Sequence, residues 1–276
     1  MISAKAMSDT TQLSSFIEDV CSNPKYAMLS KDLVSKIAIE ELQNKGNRAK
    51  ALKSTRTRLH RLAGAFIPSN IDYAKWLRVF KDLPSQITSE HLSSLKQIMR
   101  LHASTAERLP YLDEVYKDIF SHMPSPSSIL DLACGLNPLA IPWMPIDEGT
   151  EYHACDIVLP MLDFLENFFS VFRPNTHIFE KNILEFQSER SFDLIMLLKT
   201  MPLLAQIDKT APEKLFSRLN FKYLLISYPL QSLGKQYKGM EKTYRTQFEN
   251  LIANKPFQVQ EYKLPNELFF ILSHHD

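Results

Sequence analysis

Glycine is scarce in this chain. It occurs six times in 276 residues, where a usage of about 7% would supply roughly three times as many. Neither the G-x-G-x-x-G fingerprint of dinucleotide sites nor a Walker phosphate loop is present. Cysteine is rarer still. Cys21, Cys134 and Cys155 are an odd number with no Cys-x-x-Cys pair, which argues against a disulfide framework or a zinc site. No uninterrupted apolar run exceeds five residues, as at Leu194–Leu198, far short of the ~20 that span a membrane. The opening MISAKAMSDTTQ lacks the apolar core of a secretory signal. There is no large excess of either charge, with a formal net of +1. The 23% charged and 45% apolar content excludes a disordered or fibrous chain. A soluble, cytosolic protein of one large or two modest domains is expected, with no metal and no membrane.

The neutral total hides an asymmetry. Residues 1–110 carry 17 Lys/Arg against 10 Asp/Glu, whereas residues 111–276 carry 15 against 21. The split predicts a basic module joined to an acidic one, and a basic module suits nucleic acid. Its densest part, Lys45–Arg61, has seven Lys/Arg and no acid. A helical projection puts Leu52, Leu59 and Ala63 on one face and Lys50, Lys53, Arg58 and Arg61 on the other. Either this is a solvated helix face or it is a phosphate-binding surface, and the missing acids favour the second.

The N-terminal part reads as helices throughout. Val34, Ile37, Ala38, Glu41 and Leu42 keep helical spacing, as do Tyr73, Trp76, Leu77 and Phe80 before Pro84. Leu92, Leu95 and Met99 mark another helix, capped by Thr88 or Ser89, and Leu112–Phe120 one more. At Ser125–Ser128 the pattern changes. SILDLAC, EYHACDI, THIFEKN, FDLIMLL and KYLLISY are short apolar runs of the buried parallel-strand kind. Helical segments PLAIPWM, PMLDFLENFFSVF and APEKLFSRL lie between them, which implies βαβ units. The end, PFQVQEYKLPNELFFILSHH, reads as an antiparallel hairpin turning at Leu264–Asn266. An all-helical domain over residues 1–109 followed by a Rossmann-like α/β domain over 110–276 is expected. That layout, a mostly parallel seven-stranded sheet closed by an antiparallel hairpin, resembles the class I S-adenosylmethionine-dependent methyltransferases.

Ligands of open α/β sheets bind beyond the carboxyl ends of the strands. The first such end is Asp131-Leu-Ala133-Cys-Gly135-Leu-Asn137-Pro138, whose small residues admit close approach and whose Pro138 suits a first helical turn. It is similar to the D-x-G-x-G turn, with Ala133 and Asn137 in place of two glycines. The second strand ends in Asp156, placed to accept both hydroxyls of a ribose. The third ends at Asn182 and Ile183, an amide for an adenine edge and an apolar cover for its ring. The fourth ends Leu198-Lys199-Thr200-Met201-Pro202, which is not the Asn/Asp-Pro-Pro-Tyr motif of enzymes that methylate amino groups. Just before the sheet, HASTAER supplies Arg108, a planar fork for a carboxylate, with Ser104 and Thr105 as caps or donors.

HASTAER, DLACGLNPLA, HACDI, LLKTMP and SYPLQSLGKQYKGM together resemble the aminoglycoside-resistance 16S ribosomal RNA guanine-N7 methyltransferases of the Arm/Rmt/Sgm group. The resemblance covers the domain junction and nearly all of the C-terminal domain. It implies S-adenosyl-L-methionine as donor, the assembled 30S subunit as substrate, N7 of a decoding-site guanine as acceptor, and a helical domain that docks on ribosomal RNA. Carried over by position, it places Phe66, His102, Ala103, Ser104, Arg108, Ala133, Asp156, Asn182, Ile183, Leu198 and Gln206 around the cofactor. Guanine N7 has a lone pair and no proton, so alignment rather than a base is what catalysis needs. Extracting the guanine costs a few kcal/mol, which RNA contacts must offset. Lys199 either positions the guanine or its phosphate, or is a strand-end lysine reaching solvent. Ser227, Tyr228 and the loop Gln231–Met240, with Lys235, Tyr237 and Lys238, face the target nucleotide or form a plain connection. Two rivals stay open: methylation of another ribosomal base such as adenine N1, and a catalytically silent RNA-binding protein on the same fold.

Overall fold

Alternate residues along each central strand are apolar on both sides, and both sides are covered. The computed structural model describes residues 4–64, 71–80, 87–230 and 239–274. Their strands are β1 (Ser128–Leu132), β2 (Glu151–Asp156), β3 (Thr176–Glu180), β4 (Phe192–Leu198), β5 (Phe221–Pro229), β6 (Phe257–Lys263) and β7 (Glu267–His274). They form one seven-stranded sheet in the order β3-β2-β1-β4-β5-β7-β6. The first five run parallel, and β7 pairs antiparallel with both β5 and β6. In β4, Leu194 and Met196 enter the core on one face while Ile195 and Leu197 enter it on the other, all fully buried. That two-sided burial explains the unbroken apolar runs. The chain leaves β1 toward β2 and β3 and resumes on its other side at β4, so a crevice opens at the carboxyl ends of β1 and β4.

The N-terminal helices are set by local caps. Ser30 Oγ accepts from the Leu33 amide at the start of Lys31–Lys45, and Asn47 accepts from Lys50 at the start of Arg48–Leu59. Gly46, at φ +58°, makes the left-handed turn between them. Thr88 and His91 form a reciprocal capping box before Ser89–Met99. These helices do not close a core of their own. One apolar cluster runs from Phe16, Leu33 and Ile37 through Leu95 and Tyr116 into Ile129, Tyr152 and Met196 of the sheet. Leu29 bridges Val158, Phe80 meets Phe168 edge-on at 5.1 Å, and Tyr73 packs on Phe164 at 5.5 Å. The helical part therefore leans on the helix Leu159–Phe172 and on the carboxyl end of β2.

Three local expectations change. PLAIPWM is a 3-10 rather than an α-helix (Asn137–Trp143), because Pro142 inside it removes an amide donor. The basic helix turns Ala51, Thr55 and Leu59 inward, with Leu52 only half-buried, since packing against the preceding helix selects that face. Helices Met201–Ile207 and Met240–Ile252, not anticipated, cover the second face of the sheet with Leu204, Phe248 and Leu251.

Candidate active site

A cleft opens where the crevice was expected. It is lined by Ala133 and Gly135 after β1, Asp156 at the end of β2, Asn182 and Ile183 after β3, Leu198 at the end of β4, and Lys199 and Thr200 after it. Leu62, His102 and Ser104 close it from the helical side, and Leu203, Leu204 and Ile207 from the helix that follows β4. The turn after β1 is left-handed at Ala133 (φ +53°) and Gly135 (φ +52°). Glycine is required at 135 for a second reason. A Cβ there would lie 2.7 Å from Cε1 of His102, whose ring covers the glycine. The His102 ring nitrogen Nδ1 is 2.9 Å from Ser104 Oγ. Burial first, then the charges of Arg108 and Lys199, lower the His102 pKa to about 4 and keep the ring neutral.

Asp156 has the geometry for a ribose. One oxygen accepts from the Gly135 amide at 2.9 Å and the other from Ile157 at 2.7 Å. The carboxylate lies on the lining of the cleft, where an ionised acid can accept from vicinal hydroxyls. Burial raises its pKa, opposed by the backbone amides. Asn182 caps the short turn Ile183–Glu185, its carbonyl accepting from Leu184 at 3.1 Å. Its amide NH2 is left as a donor to a ring nitrogen. The donor set, the apolar walls and the glycine-backed turn fit an adenosine-bearing cofactor.

Behind the cleft runs a buried polar chain. Arg108, 2% exposed, donates to Glu267 in a bidentate pair, Nε to Oε2 and Nη2 to Oε1, both at 2.9 Å. Its Nη1 reaches Asn137 Oδ1, which also accepts from Tyr116. The Asn137 amide donates to Asp131 at 2.8 Å, as does the Tyr152 hydroxyl. Burial pushes Asp131 up to about 6. On the other side, Ser227 donates to Glu267 at 2.5 Å, and Lys199 Nζ sits 3.3 Å from Glu267 and bonds to Glu107. Burial raises the Glu267 pKa, but Arg108 and Lys199 outweigh it and hold the carboxylate ionised. Lys199 is itself left-handed (φ +58°), its amide bonded to Ser227 O and Oγ at 3.1 and 2.9 Å.

A model of the ribosomal RNA methyltransferase family FmrO matches residues 22–271. The chain belongs to that family. A Micromonospora echinospora protein named 16S rRNA (guanine(1405)-N(7))-methyltransferase is 33% identical over 230 residues, covering 83% of this chain and 84% of its own. A Micromonospora rosea protein of the same name is 30% identical over 253 residues, covering 90% and 92%. Among solved structures, the 16S rRNA methyltransferase RmtF in complex with S-adenosyl-L-homocysteine aligns with a TM-score of 0.81 and 25% identity, covering 95% of this chain and 98% of its own. The sheet and its helical partner thus have the class I fold, and S-adenosylmethionine is the cofactor this methyltransferase uses.

The anticipated site residues of this methyltransferase divide by place. His102, Ser104, Ala133, Asp156, Asn182, Ile183, Leu198 and Lys199 meet around the cleft. Ala103 begins the short helix Ala103–Ala106 beside it without lining it. Arg108 lies behind the wall with its fork spent on Glu267, an internal carboxylate rather than a ligand's. Gln206 faces a second groove with Tyr228 and Tyr244, because Leu203, Leu204 and Ile207 turn the other side of that helix to the cleft. Phe66, Lys235, Tyr237 and Lys238 lie outside the described residues. On the basic helix, Arg58 is tied to Glu40 and Glu41 at 2.8 and 2.9 Å. The acids missing from its own segment come from the helix before. Lys50, Lys53 and Arg61 are exposed and form no ion pair among the described residues. Sequence reasoning missed Glu107 and Glu267. A lone acid heading the apolar strand Glu267-Leu-Phe-Phe-Ile-Leu was the available signal, since a buried charge needs a partner.

Proposed function

We propose that this methyltransferase modifies N7 of a guanine in the decoding A site of 16S rRNA, acting on the assembled 30S subunit in the cytoplasm and conferring aminoglycoside resistance. In this reading residues 1–109 dock on ribosomal RNA and residues 110–276 carry out the transfer. The observation that carries it is the cleft at the strand ends, lined by Asp156 and Lys199, in a chain whose relatives are named for guanine N7. No described helix is long and apolar enough to cross a membrane, which accords with work on ribosomes.

Asp156 holds two hydroxyls, the Asn182 amide donates to the adenine edge, and Ile183, Leu204 and Ile207 enclose the ring. His102 stays uncharged beside the cleft, so no imidazolium opposes a cationic ligand. The donor supplies a methyl already activated on a sulfonium sulfur. Guanine N7 loses no proton, so the chain need only fix the base against that methyl, and orientation alone is worth several kcal/mol. Lys50, Lys53 and Arg61 supply phosphate contacts from the helical side. The test is methyl transfer to purified 30S subunits and to naked 16S rRNA, with the modified nucleotide located by reverse-transcription stops and mass spectrometry. A guanine N7 methyl on the 30S subunit is the expected result. Transfer to neither substrate, or to adenine N1, rejects the proposal.

A further inference from the structure

Lys199 is held in a way that an ordinary strand-end lysine is not. Its left-handed backbone (φ +58°) is a strained state, fixed by two bonds from its amide to Ser227, and its side chain is 8% exposed. The ammonium has three donors, and among the described residues two are engaged, one by Glu107 and one by Glu267. The two acids differ. Both oxygens of Glu267 are consumed, Oε1 by Arg108 and Ser227 and Oε2 by Arg108 and Lys199, and the side chain is fully buried. Glu107 keeps 30% exposure, and its Oε1 has no partner among the described residues. An open donor therefore lies beside an open acceptor, the donor on the lining of the cleft and the acceptor just outside it.

We propose that Lys199 and Glu107 form the element that selects guanine, the ammonium donating to O6 and the carboxylate accepting from N1–H. This rests on the reading above that guanine N7 is the methyl acceptor. Along the guanine edge the order is N7, O6, N1–H, that is, nucleophile, acceptor, donor. Along the protein the order is cleft, ammonium, carboxylate. With O6 on Lys199 and N1–H on Glu107, the N7 lone pair points into the cleft. Adenine offers the inverse, an amino donor at N6 and an acceptor at N1. It would set its amino group against the ammonium and a lone pair against the carboxylate. A site built from hydrogen-bonding groups rejects a base that leaves them unpaired far more strongly than an apolar pocket does. A base out of its stack presents this edge to a side chain.

The test is steady-state methylation by wild type and Glu107→Gln on 30S subunits with the natural guanine and on subunits whose target is mutated to adenine, alongside calorimetry with S-adenosylmethionine. For the variant, kcat/KM on guanine subunits is expected to fall about ten- to a hundredfold. Cofactor affinity should stay within twofold, and the rate on adenine subunits should be no lower than that of wild type. An unchanged kcat/KM on guanine overturns the assignment. So does a loss of cofactor affinity matching the loss of rate, or a parallel fall on both subunits, since either marks Glu107 as a structural prop. Failure of the wild type to methylate guanine subunits is a separate outcome, and it removes the parent reading along with this one.

Discussion

Two glycines share a left-handed φ and differ in what surrounds them, which makes a controlled experiment. Gly46 (φ +58°) has nothing within 4 Å of where a Cβ would stand, whereas Gly135 (φ +52°) has the His102 ring at 2.7 Å. Alanine at either position incurs the left-handed backbone cost, about 1–2 kcal/mol. At 135 the ring must also retreat by several tenths of an ångström from a packed wall, an overpacking cost of about 1–3 kcal/mol. Gly46→Ala should therefore lower Tm by a few degrees and Gly135→Ala by roughly twice as much, at ~2–4 °C per kcal/mol. Only Gly135→Ala displaces a wall of the cleft, so only it should weaken S-adenosylmethionine binding, by about tenfold or more. Thermal unfolding and calorimetry on both variants measure this. Adding His102→Ala should recover the packing part of the loss, a coupling of about 1–3 kcal/mol. Equal destabilisation by the two alanines, with cofactor affinity intact in both, would refute the idea that the His102 contact dictates glycine.

Asp156→Ala should raise the cofactor Kd about ten- to a hundredfold by removing the charged acceptor of the ribose hydroxyls; unchanged affinity in a folded variant contradicts that role. Reversing Lys50, Lys53 and Arg61 to Glu should weaken 30S binding more than tenfold and reduce its salt dependence while leaving cofactor affinity alone, and filter binding across a salt series will show whether that face is merely solvated. Glu267→Gln breaks a buried pair and should cost about 3–5 kcal/mol of stability, so a Tm shift below two degrees would be incompatible with the bidentate contact. The pH dependence has a definite sign. The folded pKa of His102 is lowered to about 4, so the unfolded chain takes up a proton first, and His102 costs the folded state stability as pH falls from about 6.5 to 4. His102→Gln should gain on wild type across that window in denaturant titrations, and the difference should be flat above it.

The order of the strands was legible in the chain because it depends on local pattern. Buried parallel strands read as unbroken apolar runs, Leu264–Asn266 reads as a turn, and Thr88 reads as a cap, all of which the structure bears out. The strand-end residues were legible for the same reason, since βαβ topology brings every carboxyl end to one edge whatever lies between. Arg108, Gln206 and Arg58 show where that logic stops. Each is a polar residue at a plausible position, and each is aimed by how its element packs: Arg108 by Glu267, Gln206 by the face that its own helix Met201–Ile207 turns to the cleft, and Arg58 by Glu40 and Glu41 of the helix before. Periodicity and spacing tell a side chain which element it is on and which face it shares. Its partner is chosen when the elements pack, because a buried charge takes the nearest opposite charge that its surroundings supply, and Glu267 joins Arg108 across 159 residues of chain.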